Sequence, residues 1–296
     1  MSQRVDKGWQ ARGLDAYPVE AILGTLAHYG VPLTEDGFRA LAEQDFPLAI
    51  AEAWHRRWTG TGQFARFPAA AADELWRRLC APRVAPTDVA LAVMKLVGAL
   101  QEVLQGKPGD GTLPARFQVA EAYLPAIPQD PGLQRRFLSE LGAALAPFQD
   151  AIDPLAEALA RAGQRPLAER FAILEEALYP VRTGAVLALV QAAAGDPEGA
   201  AAALEALARD PGRSDAAQLS VVDALLELGR LDPALALALR LLDRAEQARD
   251  VELAAGVVER LTRLLKLDPA RADRQVIRAR VEALARALQP PAEPLP

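Results

Sequence analysis

Val221-Val222-Asp223-Ala224-Leu225-Leu226-Glu227-Leu228-Gly229-Arg230-Leu231-Asp232-Pro233-Ala234 returns 36 residues later, without a gap, as Val257-Val258-Glu259-Arg260-Leu261-Thr262-Arg263-Leu264-Leu265-Lys266-Leu267-Asp268-Pro269-Ala270. A fainter copy precedes both by one period, with Val186, Leu189, Asp196 and Pro197 at matching positions. Self-similarity at this period marks stacked helical hairpins. A lone hairpin leaves one apolar side wet, and only a neighbouring copy can cover it.

Outward from this stretch, Ala and Leu recur at helical spacing and β-branched runs with period-two alternation are missing, so the whole chain reads as all-α. Asp-Pro pairs punctuate it at 130–131, 153–154, 196–197, 210–211, 232–233 and 268–269. An Asp side chain accepts from the orphan amides of a first turn, and Pro at the first helical position gives up an N–H that had no partner. Most of these pairs are therefore expected to open helices. Asp210-Pro211 is expected to end one, with Ser214 capping the next. Three hairpins follow: 182–194 with 197–209, 214–229 with 232–248, and 250–267 with 269–288. The last helix carries a narrow stripe (Ile277, Val281, Leu284, Leu288) flanked by Arg271, Arg274, Arg278 and Arg280, as expected of a solvated terminal face.

All four Trp, at positions 9, 54, 58 and 76, lie in the first third, and no aromatic residue follows Tyr179. Residues 1–125 thus read as a helical, Trp-containing N-terminal module, with helices near 17–29, 34–44, 47–58, 69–80, 87–105 and 114–123 and a loop over 105–111. Residues 126–179 bridge, with helices near 131–146, 151–163 and 166–178. The repeats occupy 180–288. The tail, 289–296, holds four prolines and is expected to be disordered.

The repeat region resembles tetratricopeptide repeats (TPR), a family with a period of about 34 residues. Gly195 and Gly229 stand where that family turns between its two helices. Ala200 and Ala234 match its small contact residue, and Leu204 the large apolar slot that follows. Pro211 lies one residue from its closing proline. Leu207 stands in place of a second small residue, and Gly184, Gln191, Gln218 and Leu225 replace its large first-helix positions. The resemblance covers about residues 180–288 and implies that the helical N-terminal module is followed by a TPR-like α-solenoid whose first helices line a groove for a protein or peptide. Groove-facing positions are then Arg182, Leu189, Leu219, Asp223, Leu226, Glu227 and Glu259. With no Asn in the chain, and with these positions mostly apolar or acidic, the family's carboxylate clamp is not expected. An apolar or basic partner segment is.

Composition excludes several classes. The net charge is −6, and no half is basic, so neither nucleic acid nor an anionic membrane surface is expected as a partner. Cys80 is the single cysteine, which rules out an internal disulfide and suits a cytoplasmic protein, and the absence of Asn, with four Lys among many Arg and Ala, reads as a high-GC bacterial genome. Met1–Gln10 lacks the apolar core of a signal peptide. The longest apolar stretch, 184–195, is too short to span a bilayer, so no membrane insertion is expected.

Reactive motifs are thin. Glu52 and His55 have the spacing of a di-iron helix, but the only other histidine, His28, lacks the companion acid, so no metal or cofactor is expected. Gly60-Thr61-Gly62-Gln63 follows a helix rather than a strand and reads as a loop, not a dinucleotide turn. The four serines sit in no nucleophile elbow. Adjacent Glu175 and Glu176 point to different sides of a helix. Trp54 and Trp58, four apart, share a face and can anchor a core or an interface. The expectation is a non-catalytic adaptor or scaffold that binds a partner through the repeats. A ligand- or peptide-sensing regulator and an all-α enzyme with its site near Glu52 or His55 remain as rivals.

Overall fold

The computed structural model describes residues 4–107, 111–271 and 273–288, and among them there is no strand. The chain divides into two compact units between Asp153 and Pro154. The first holds α1 (Trp9–Arg12), α2 (Val19–His28), α3 (Glu35–Ala42), α4 (Pro47–His55), α5 (Phe67–Leu79), α6 (Pro86–Leu104), α7 (Leu113–Ala122), α8 (Pro131–Leu145) and α9 (Gln149–Ile152). The second holds α10 (Leu155–Arg161), α11 (Arg165–Leu178), α12 (Ala185–Ala193), α13 (Pro197–Arg209), α14 (Asp215–Glu227), α15 (Leu231–Ala248), α16 (Val251–Leu267) and α17 (Arg274–Leu288). The proline-rich tail and part of the 105–111 loop lie outside the described residues, as do the side chains of Leu284 and Leu288.

Large rings build the first unit. Phe46 meets Trp76 at 5.4 Å and Phe137 at 5.3 Å between centroids, and Trp58 stacks on Phe67 at 5.8 Å with an 8° tilt. Such pairs add about 1 kcal/mol each beyond their burial. Glu140 of α8 caps α4: its buried carboxylate accepts from the Leu48 and Ala49 N–H groups at 3.1 and 2.8 Å.

The second unit uses small and branched aliphatic residues instead. One apolar core runs from Ala185 to Val281 and includes Ala200, Leu204, Val221, Leu225, Ala234, Leu237, Val257 and Leu261. Ala at the contacts lets helix axes approach closely, while each buried Leu stabilises by roughly 2 kcal/mol. Every helix packs on the next in sequence, and α10, α12, α14 and α16 also touch in series. Gly195 and Gly229 turn between the helices of their hairpins at φ +102° and +68°, backbone that costs an L-residue with a side chain.

Asp-Pro does not have a single meaning. Asp130 and Asp196 are N-caps, accepting from Leu133 N–H and Gly199 N–H at 2.9 Å. Asp210 ends α13 and Ser214 caps α14, accepting from Ala217 N–H at 3.2 Å. Asp232-Pro233 lies inside the first turn of α15. Asp153-Pro154 splits the expected 151–163 helix into α9 and α10. Asp268-Pro269 opens nothing: α17 starts at Arg274. There Arg271 draws in Asp268 at 3.6 Å, along with Asp232 and Asp273, both at 2.7 Å.

Candidate functional site

Helices α12, α14 and α16 and the short turn Pro180–Arg182 border a cavity of about 420 Å³. Local chemistry sets each wall. Gly184 enters α12 at φ +82°, backbone that strains a residue with a side chain, and a Cβ there would lie 2.8 Å from Leu207 Cδ1. Glu176 accepts from the Leu187 N–H at 3.0 Å, satisfying an orphan donor of the first turn of α12. Glu175, buried beside it, holds Arg182 at 2.6 Å. The adjacent glutamates thus do separate structural work. Asp250 caps α16, accepting from Leu253 N–H at 2.9 Å.

Ala185, Val186, Leu189 and Ala224 give the cavity an apolar floor, and its walls carry Arg182, Asp223, Glu227, Glu259, Arg260 and Arg263. Arg260 donates to Asp223 Oδ2 from Nε at 3.1 Å and from Nη2 at 2.6 Å, and its Nη1 donates to the Gly256 carbonyl at 2.9 Å. Arg263 stands 4.0 Å from Asp223 Oδ1, and Glu259 stands 3.9 Å from Arg260. Partial loss of water pushes the Glu227 carboxyl above its ordinary range. Glu157 and Asp223 add to that shift, and Arg263 and Arg182 oppose it. The site can therefore hold an apolar side chain on its floor and charges of either sign along its walls.

Of the groove positions expected from sequence, Arg182, Leu189, Asp223, Glu227 and Glu259 line this one cavity. Leu226 is buried in the core, and Leu219 packs where a Cβ on Gly256 would come within 3.2 Å of its Cδ1. Neither is among the cavity's lining residues. The expected apolar or acidic lining is corrected to a mixed one, because Arg260 and Arg263 join Arg182. Both arginines lie where the two sequence copies differ, opposite Ala224 and Glu227. That difference was the available signal, and it could not say which acid they meet.

Trp54 is buried against Phe38, with centroids 6.1 Å apart. Trp58, half-buried, donates from Nε1 to the Phe64 carbonyl at 3.0 Å. Both are taken up by packing in the first unit, which leaves Trp54 no surface to offer a partner. A Cβ on Gly60 would stand 2.7 Å from the Trp58 indole, so that loop glycine accommodates the ring. His55 is exposed on α4, and Glu52 borders a separate cavity with Arg135, Arg136 and Glu140. Among the described residues no three His, Cys, Asp or Glu side chains gather as metal ligands. Burial pushes the Cys80 thiol up, with Arg83 and Arg39 pulling the other way, a poor setting for a nucleophile.

The arginine row of α17 is not a simple solvated face. Arg280 reaches Asp243 at 2.6 Å and Glu246 at 2.8 Å on α15, and Arg271 reaches Asp232. Arg278 pairs within its own helix, with Glu282 at 2.7 Å. No described helix is long and apolar enough to cross a membrane. No family model, curated protein or solved structure matches the chain.

Proposed function

We propose that the second unit is a TPR-like stack of hairpins that captures a segment of a protein partner in the α12/α14/α16 cavity, making the protein a non-catalytic adaptor. The observation that carries this reading is the convergence of Arg182, Leu189, Asp223, Glu227 and Glu259, spread over three helices and a turn, on one cavity. These are positions that the resemblance to tetratricopeptide repeats assigns to the concave side of such a stack. The apolar floor offers the anchor, and the charged walls set orientation and register more than strength. Because both signs line the walls, the partner segment is an amphipathic one carrying basic and acidic residues around a small apolar side chain.

A peptide array probed with the full chain tests the proposal. Replacing Asp223→Lys and Glu259→Lys together should erase the bound spots while the helical circular dichroism spectrum persists. An unchanged spot pattern refutes the site. A second reading, a regulator that senses a small ligand, is favoured by the cavity volume, which lies in the range of small-molecule sites. Ligand screening by thermal shift separates the two, since a ligand bound only by the folded state raises the melting point by mass action.

A further inference from the structure

The charged side chains that line the α12/α14/α16 cavity are not equally committed. Arg182 is held by the buried Glu175 at 2.6 Å. Arg260 spends Nε and Nη2 on Asp223 Oδ2 and Nη1 on the Gly256 carbonyl. Glu259 stands 3.9 Å from Arg260 and is 83% exposed, so water serves it. Two groups are left over. The Glu227 carboxylate accepts no hydrogen bond and joins no ion pair among the described residues. The Arg263 guanidinium comes no nearer an acid than 4.0 Å, at Asp223 Oδ1, which is beyond hydrogen-bonding reach.

Glu227 and Arg263 hold the same place in the two copies of the repeat, 36 residues apart, with opposite charge. One stands on α14 and the other on α16, which pack together. Equivalent positions on such neighbours are separated by one interaxial spacing, about 8–10 Å. The apolar floor lies toward α12, which supplies Ala185, Val186 and Leu189, while α14 adds Ala224. Helix order thus sets out the chemistry in sequence: an apolar floor, an uncommitted acid, an uncommitted base. Glu157 and Asp223 act on Glu227 more strongly than Arg263 and Arg182 offset, which favours a cation beside it. Arg263 offers a carboxylate a fork of parallel donors. We propose that the captured segment is read by its charge order: an apolar residue over Val186 and Leu189, next a lysine or arginine on Glu227, then an aspartate or glutamate on Arg263. Charge reading of this kind rests on the capture of a segment in this cavity. Pairs this wet select the order of residues more than they add strength.

The probe is an array of immobilised peptides that carry Val, Lys and Glu in every order, at graded spacings, in a Ser/Ala background. The full chain should retain peptides with Lys between Val and Glu about tenfold more strongly than those with Glu between Val and Lys, two pairs at about threefold each. Reversing the peptide leaves the middle residue in place, so chain direction does not blur the comparison. Glu227→Arg combined with Arg263→Glu should reverse the preference. Both positions are exposed, and the helical circular dichroism spectrum checks that the fold persists. Should the swapped chain unfold, Arg263→Gln takes its place and should lose only the preference for Glu over Gln at the outer position. Equal retention of both orders, a swapped chain that keeps the wild-type order, or an Arg263→Gln chain that still prefers Glu would overturn the charge order. Capture itself would survive those results if Asp223→Lys with Glu259→Lys still erased the spots. An array with no retained peptide would overturn both.

Discussion

The pair between Asp223 and Arg260 joins two hairpins at a position where the two copies of the repeat differ, and its strength can be worked from its setting. The side chains are 32% and 21% exposed, which places the pair between a surface ion pair, worth about 0.2–1 kcal/mol, and a buried one, whose breakage costs about 3–5 kcal/mol. Two bonds from one guanidinium to a single carboxylate oxygen strengthen it, and the remaining water contact weakens it. We expect a coupling of about 1 kcal/mol in a double-mutant cycle of Asp223→Ala and Arg260→Ala. Arg263, 4.0 Å from Asp223 Oδ1, can swing in when Arg260 is lost. Repeating the cycle in an Arg263→Ala background should therefore raise the coupling. Urea unfolding followed by far-UV circular dichroism reads the effect. Tryptophan fluorescence reports the first unit alone, because all four Trp lie there, and so identifies its share of the transition. High salt should shrink the coupling by screening. Strictly additive single variants, with or without Arg263, would refute the claim that this charge pair staples α14 to α16.

Gly195→Ala should cost about 1–2 kcal/mol through backbone strain alone, since a Cβ there meets nothing within 4 Å at φ +102°; thermal melts of the variant check this. Glu140, whose carboxyl burial raises despite its two backbone bonds, binds its proton more tightly folded than unfolded. Its contribution to stability therefore falls as pH rises from the unfolded value, about 4.3, through the raised folded value. The stability of wild type relative to Glu140→Gln should decline across that window, and parallel pH profiles would contradict the assignment. Cys80, its thiol pushed up by burial, should alkylate with iodoacetamide at neutral pH more slowly than a free cysteine, in a timed mass-spectrometric assay.

The helices were largely legible because Pro, Gly and Asp act locally: a missing N–H, a positive φ or a short acceptor decides a boundary within one turn. The misses have the same root. The Asp268-Pro269 pair has the residues of a cap, but Arg271 competes for the Asp268 carboxylate and the helix begins later. At Asp153-Pro154 the proline, with no N–H to donate and a ring that crowds the preceding turn, interrupts the helical spacing of 151–163. The family resemblance named five residues that line one cavity, Arg182, Leu189, Asp223, Glu227 and Glu259. It could not bring in Arg260, because the acid it meets lies 37 residues away and pairing across helices needs their relative rotation. Trp54 and Trp58 illustrate the remaining ambiguity. A pair of aromatics on one helix face looks alike whether it anchors a core or a partner, and only the rings around them decide.

Site-specific photo-crosslinking reads out whether the α12/α14/α16 cavity receives a protein segment. A benzophenone side chain placed at Ser220, which lines the cavity, would be compared with one at Glu252, which is exposed on α16 outside the cavity's lining. One dominant partner should crosslink from position 220, disappear when Glu259→Lys and Asp223→Lys are added, and crosslink little from 252. A partner that co-purifies yet crosslinks equally from both positions, or only from 252, would contradict capture in this cavity.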